Sequence, residues 1–185
     1  MRDNGAMSFE RNDEGPRAFR ICFVCTGNIC RSPMAEAVFR SLVRDAGLED
    51  RIAVDSAATG DWHVGERADH RTVDALARLG YDGSAHRARQ FDADWFDDLD
   101  LVIAFDHGHE RALRAAAPDE EQASKVRLLL SFEPQHAVGL DVPDPYYSDA
   151  ALFDTVLATV ERACRALLSQ ITPALGGNPA SRGDA

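Results

Sequence analysis

Cys25 and Arg31, with five residues between them, are the pair in this sequence on which chemistry can be built. A cysteine thiolate is a strong nucleophile, and a guanidinium offers a planar fork of donors to two oxygens of one anion. Between them, Gly27 and Asn28 both tolerate the positive φ angles of a sharp cradle, so successive backbone N–H groups can point inward. Ser32 and Pro33 follow and open an apolar-periodic segment. The loop therefore runs into a helix N-terminus, whose dipole adds to the field of the amides. Such a cavity suits a dianion such as phosphate, and the same donors favour thiolate over thiol at Cys25. The predicted chemistry is attack of the Cys25 sulfur on a bound phosphorus.

A nucleophile held in this way needs a strand behind it and a helix ahead. Ile21, Cys22, Phe23 and Val24 supply the apolar strand that stops at Cys25. Ala35, Val38, Phe39, Leu42, Val43 and Ala46 recur at helical spacing, which predicts a helix over 33–46 with Gly47 at its C-cap. The same reading gives strands over 51–56, 99–105 and 126–130, a helix over 68–79 ended by Gly80, and a helix over 110–117 stopped by Pro118. Residues 131–147 have no period and contain Pro134, Gly139, Pro143 and Pro145, the mark of a long functional loop. Residues 149–171 place Leu152, Phe153, Val156, Leu157, Val160 and Cys164 on one face of a long amphipathic helix. The predicted fold is α/β: a single doubly wound domain with a four-stranded parallel sheet flanked by helices and an N-terminal phosphate-binding loop. Its ligand site belongs at the C-terminal ends of the strands, where Cys25 falls.

Composition narrows the function classes. With 185 residues and 45% hydrophobic content, one domain with a sizeable core is expected. The net charge of −11 argues against general binding to nucleic acid or a membrane surface, so any anion site must be local. Cysteines at 22, 25, 30 and 164 do not make a spaced disulfide framework, which fits a reducing cytoplasm. No apolar run reaches the roughly 20 residues of a membrane span, and the N-terminus lacks the apolar core of a signal peptide. The bias to arginine over lysine points to a bacterial, GC-rich genome. Residues 1–18 and 173–185, polar or rich in Gly, Pro and Ala, are expected to be flexible tails around a domain over 19–172. Asp106, His107 and His109, at the start of a helix, are read as solvated capping residues, and no metal site is assigned.

The spelling CTGNICRSPMAE, close to the N-terminus, resembles the loop of the low-molecular-weight protein tyrosine phosphatases. The Asp144-Pro145-Tyr146-Tyr147 segment resembles a second motif of the same family. The resemblance implies a phosphatase hydrolysing protein phosphotyrosine through a cysteinyl phosphate, with Cys25 as nucleophile, Arg31 as phosphate ligand and Asp144 as general acid and base. Thr26, Gly27, Asn28, Ile29, Cys30, Arg31 and Ser32 would bind phosphate; Asn28 would orient the loop and Ser32 would donate to the Cys25 sulfur. Trp62, Tyr146 and Tyr147 would line the substrate pocket. Ser56, His86 and Glu36 would support the loop from behind. Cofactors are not implied, the product would be inorganic phosphate, and the protein is expected to act as a monomer. The position of Cys30 in the loop suggests a reversible Cys25–Cys30 disulfide against over-oxidation.

Two related chemistries compete. Arsenate reductases resembling this family need further cysteines on a mobile segment, and no cysteine lies between Arg31 and Ala163. Protein-arginine phosphatases carry a similar loop but tend to have a small polar residue where Ile29 stands, so Ile29 favours an aromatic substrate.

Overall fold

The first strand, β1 (Phe19–Cys25), is apolar on both faces because both faces are covered. The computed structural model describes residues 17–133 and 139–176. Ile21, Phe23 and Cys25 face one buried cluster, while Cys22 and Val24 face a second on the opposite side of the sheet. The remaining strands are β2 (Ile52–Ala58), β3 (Leu101–Ala104) and β4 (Val126–Leu128), all parallel, in the order β2-β1-β3-β4. Helices α1 (Arg31–Asp45), α2 (His70–Arg78) and α5 (Ala150–Ile171) cover the first face; α3 (His107–Ala116), beside the short α4 (Glu120–Ser124), covers the second. This is the doubly wound architecture expected, and its strand order reverses direction between β1 and β3. The crevice for a ligand opens at such a reversal, beyond the C-terminal ends of those two strands.

Several boundaries differ from the sequence reading for identifiable reasons. β4 stops at Leu128 rather than 130 because its partner is exhausted: Ala104, the end of β3, pairs with Leu128. Leu129–Phe132 then tightens into a 3-10 turn. β3 starts at Leu101 rather than 99 because the Leu99 N–H is taken by the Trp95 carbonyl of the preceding turn, Ala93–Asp97. α3 begins at His107, three residues earlier than expected, since the Asp106 side chain accepts from His109 N at 2.8 Å and caps it. Gly47 and Gly80 follow α1 and α2 with φ of +66° and +83°, the left-handed conformation that ends a helix.

Of the N-terminal tail expected over 1–18, only residues 17 and 18 are described, and Arg17 is tied to Asp100 at 2.9 Å. At the other end, the tail does not begin at 173: Thr172–Leu175 forms a 3-10 turn continuing from α5, and Leu175 packs against the core. The rest of that segment, and residues 134–138 of the long loop, lie outside the described residues.

Candidate active site

Cys25 ends β1 opposite Ala58 of β2 and keeps 3% of its surface exposed, at the start of a loop that enters α1 at Arg31. Cys30 precedes that helix with no side-chain hydrogen bond capping it. The sharp turn falls on Asn28, whose φ is +57°. Gly27 does not share it, contrary to expectation; glycine leaves room there for the His63 ring, whose Cδ2 would stand 2.8 Å from a Cβ.

Asn28 ties the loop to its support. Its Nδ2 donates to Ser32 Oγ at 2.8 Å and to Ser56 Oγ at 2.9 Å, and its Oδ1 accepts from Arg89 N at 3.1 Å. Its carbonyl lies 2.7 Å from His86 Nε2, which must therefore carry a proton. His86 Nδ1 in turn lies 3.6 Å from Glu36 Oε2, and the Ser56 hydroxyl donates to the same carboxylate. Burial works against the Glu36 charge, but His86, Arg40 and Ser56 together hold its carboxyl below the usual carboxylate range. Ser32 Oγ accepts from Asn28 and stands 3.0 Å from Cys25 Sγ, so its hydrogen is available to the sulfur.

Arg31 joins this frame to the long loop. Its buried guanidinium donates through Nη1 to Asp106 Oδ2 at 3.0 Å and to the Val142 carbonyl at 3.1 Å. The Val142 N–H bonds the Phe105 carbonyl at 2.7 Å, which pins the loop just past β3. Two residues on, Asp144 places Oδ2 3.3 Å from Arg31 Nη2, with 47% of its side chain exposed. Its Oδ1 accepts from Tyr146 N at 3.1 Å, the turn that Pro145 stiffens. A guanidinium and a half-exposed carboxyl thus meet from two distant parts of the chain, at the end of the loop that Cys25 begins.

Comparison with known proteins agrees with this geometry. The family model described as low molecular weight phosphotyrosine protein phosphatase matches residues 20–175. The chain belongs to the low molecular weight phosphotyrosine protein phosphatase family. A Streptomyces coelicolor low molecular weight protein-tyrosine-phosphatase is 56% identical over 163 residues, covering 88% of this chain and 99% of the relative. Among solved structures, YfkJ from Bacillus subtilis superposes with a TM-score of 0.80 at 38% identity, covering 87% of this chain and 98% of that one. Wzb from Vibrio vulnificus, solved in complex with benzylphosphonate, superposes with a TM-score of 0.71 at 26% identity, covering 82% and 98%. Membership makes the chain a protein-tyrosine-phosphatase.

The three aromatic residues expected to line the pocket differ in exposure. Tyr146 is half-buried, edge-on to Tyr147 at 4.8 Å between ring centroids and 6.2 Å from His63. Tyr147 is 95% exposed and Trp62 is 69% exposed, its ring lying over Gly60. Tyr146 is packed against its neighbours, whereas the rings of Tyr147 and Trp62 are open to solvent. Arg71 of α2 holds the Tyr146 segment through the carbonyls of Tyr146 at 2.9 Å and Ser148 at 2.8 Å. The Ile29 side chain is buried in the core cluster.

Sequence reasoning missed four residues of the site: His63, Arg71, Asp106 and His109. His107 is the exposed residue expected, paired with Asp141, but His109 is 5% exposed and its Nε2 lies 2.7 Å from Thr26 Oγ1. Burial first, and then the Arg31 charge, push the His109 pKa down to about 4. Asp106 is both the cap of α3 and the partner of Arg31; these bonds outweigh its burial and keep its carboxyl below the usual range. The usable signal was topological: a helix cap just after β3 must face the loop just after β1 when the two strands are neighbours.

The four cysteines are free thiols, and no Cys25–Cys30 disulfide is formed. Burial, with Asp69 nearby, pushes the Cys30 thiol up to about 12. A cavity of about 880 Å³ lies behind the loop, lined by its supports Glu36, Ser56 and His86 together with Arg40, Arg87 and Arg89. Among the described residues no cluster of His, Cys, Asp and Glu could hold a metal ion, and no helix is long and apolar enough to cross a membrane.

Proposed function

We propose that the phosphatase domain expected over 19–172, with the turn to Leu175 added, hydrolyses phosphotyrosine in two steps, with Cys25 as nucleophile, Arg31 as phosphate ligand and Asp144 as general acid and base. The N–H groups of Thr26, Gly27, Asn28, Ile29, Cys30, Arg31 and Ser32 surround the phosphoryl oxygens, and the Arg31 fork takes two of them. The Cys25 sulfur attacks phosphorus in line while protonated Asp144 gives its proton to the departing phenol oxygen. As a carboxylate, Asp144 then takes a proton from the water that attacks the cysteinyl phosphate. The sulfur leaves as thiolate, steadied by the Ser32 hydroxyl, and inorganic phosphate departs. Asn28, Ser56, His86 and Glu36 keep the loop in shape.

The observation that carries this reading is the Asp144 carboxyl 3.3 Å from Arg31, since a carboxyl beside the proposed phosphate ligand is within reach of a leaving oxygen on the same anion. The aromatic rim of Tyr146, Tyr147 and Trp62 suits a phosphophenyl group, and the benzylphosphonate complex of Wzb gives the same pairing of ring and phosphorus in a relative. The proposed substrates are phosphotyrosine proteins of the cytoplasm, met by a monomer that needs no cofactor.

The test is a parallel assay of phosphotyrosine, phosphoarginine and arsenate with the intact chain and with Cys25→Ser. Phosphotyrosine should be turned over at least about a hundredfold more efficiently than phosphoarginine, arsenate should not be reduced, and Cys25→Ser should abolish turnover while still binding inorganic phosphate. Turnover by Cys25→Ser, or preference for either rival substrate, would overturn the proposal.

A further inference from the structure

Thr26 is the first residue after the nucleophile, and its side chain belongs to a closed ring of four residues. Its Oγ1 lies 3.4 Å from Arg31 Nη2 and 2.7 Å from His109 Nε2. The His109 backbone N–H bonds Asp106 Oδ1 at 2.8 Å, and Asp106 Oδ2 returns to Arg31 Nη1 at 3.0 Å. Both terminal nitrogens of the guanidinium are therefore gripped by one chain of contacts, with His109 between the two grips.

The protons in this ring can be assigned from chemistry. A guanidinium only donates, so Thr26 Oγ1 must offer it a lone pair. His109 Nδ1 is buried with no hydrogen-bond partner, and Asp106 Oδ1 lies 3.3 Å from it. A bare lone pair there would face a carboxylate and be repelled, whereas an N–H is attracted. The proton of neutral His109 thus belongs on Nδ1, which leaves Nε2 to accept the Thr26 O–H. With its only hydrogen committed to His109, the hydroxyl turns a lone pair to Arg31. A charged imidazolium would instead donate Nε2–H to Oγ1 and leave the hydroxyl hydrogen without an acceptor in the ring. The groups that face His109 are Arg31 from α1, Asp106 from its own cap, and Asp141 and Asp144 from the long loop. Burial and Arg31 outweigh the three carboxylates, so the neutral form persists down to about pH 4.

We infer that Asp106, His109 and Thr26 act as positioning residues that hold the Arg31 guanidinium ready for the anion, with the His109 proton on Nδ1. The inference deepens the proposed function and rests on Arg31 as the phosphate ligand.

It is tested in the full chain labelled with ¹⁵N-histidine. At pH 7 the His109 ring should report a neutral imidazole protonated on Nδ1. Thr26→Val, which keeps shape and removes the hydroxyl, should raise the Ki of inorganic phosphate about tenfold and lower kcat/KM on phosphotyrosine by a similar factor. Adding His109→Gln to Thr26→Val should weaken phosphate binding no further, because the chain is already broken. A proton on Nε2, a ring titrating near its ordinary value, or full additivity of the two substitutions would overturn it. Because His109 is buried, the ring spectrum of the unaltered protein and the variant at exposed Thr26 decide the matter even where His109→Gln does not fold. Failure of the proposed function reads differently, as turnover by Cys25→Ser; this inference can fail while Cys25 remains essential.

Discussion

The two sides of the phosphate loop are built in opposite ways. Behind it, Asn28, Ser32 and Ser56 are fully buried, and their polar atoms are bound to one another, to Glu36, to His86 and to the Arg89 backbone. In front, Asp144 is half exposed and Trp62 and Tyr147 are mostly so. A cradle for an anion works only if its donors are already in place, so the rear is over-determined. In the proposed mechanism the front admits a substrate ring and then a water, which fits the exposure of its side chains. The comparison predicts that changes at the front alter turnover without altering stability, and that changes at the rear alter both.

The largest effect on turnover should come from the front. Asp144→Asn should lower kcat on phosphotyrosine about a thousandfold, with a smaller loss on esters whose leaving groups need no proton. Its stability to urea should stay within about 0.5 kcal/mol; a greater loss would mean that the mouth carries structural load. Next is Asn28→Ala, which removes the donor shared by the Ser32 and Ser56 hydroxyls, strands the Arg89 N–H and puts alanine at φ +57°. It should cost about 2–4 kcal/mol in chemical denaturation and about a hundredfold in kcat/KM. Full stability in this variant would break the distinction between rear and front. The smallest effect is expected at Tyr147→Ala: KM raised no more than about threefold, kcat unchanged, and stability within about 0.5 kcal/mol.

The same contrast explains what could be read from the sequence. β1, the loop and the start of α1 are local: an apolar run, a turn residue and a helix opening lie within a few positions, and each signal means the same thing in any fold. Asn28 could be chosen as a turn residue because its side chain and backbone both suit the left-handed bend. Gly27 could not be read correctly, since its reason is the His63 ring arriving from another loop. Asp106 and His109 looked like ordinary helix caps, and Asp106 is one; their reach to Arg31 and Thr26 exists only because β3 lies beside β1. The early end of β4 likewise depends on where its partner strand stops. Asp144 was found through a motif rather than through physics, for nothing in its own neighbourhood says that Val142 anchors the loop to Phe105.

The proposed reaction passes through a covalent bond between phosphorus and the sulfur of Cys25. Rapid acid quench of the phosphatase during turnover of a phosphotyrosine peptide, followed by proteolysis and mass spectrometry, tests it most directly. The predicted result is one phosphoryl group on the peptide containing Cys25, absent in Cys25→Ser. Steady turnover with that peptide unmodified at every quench time, or a phosphoryl group on another residue, would contradict it.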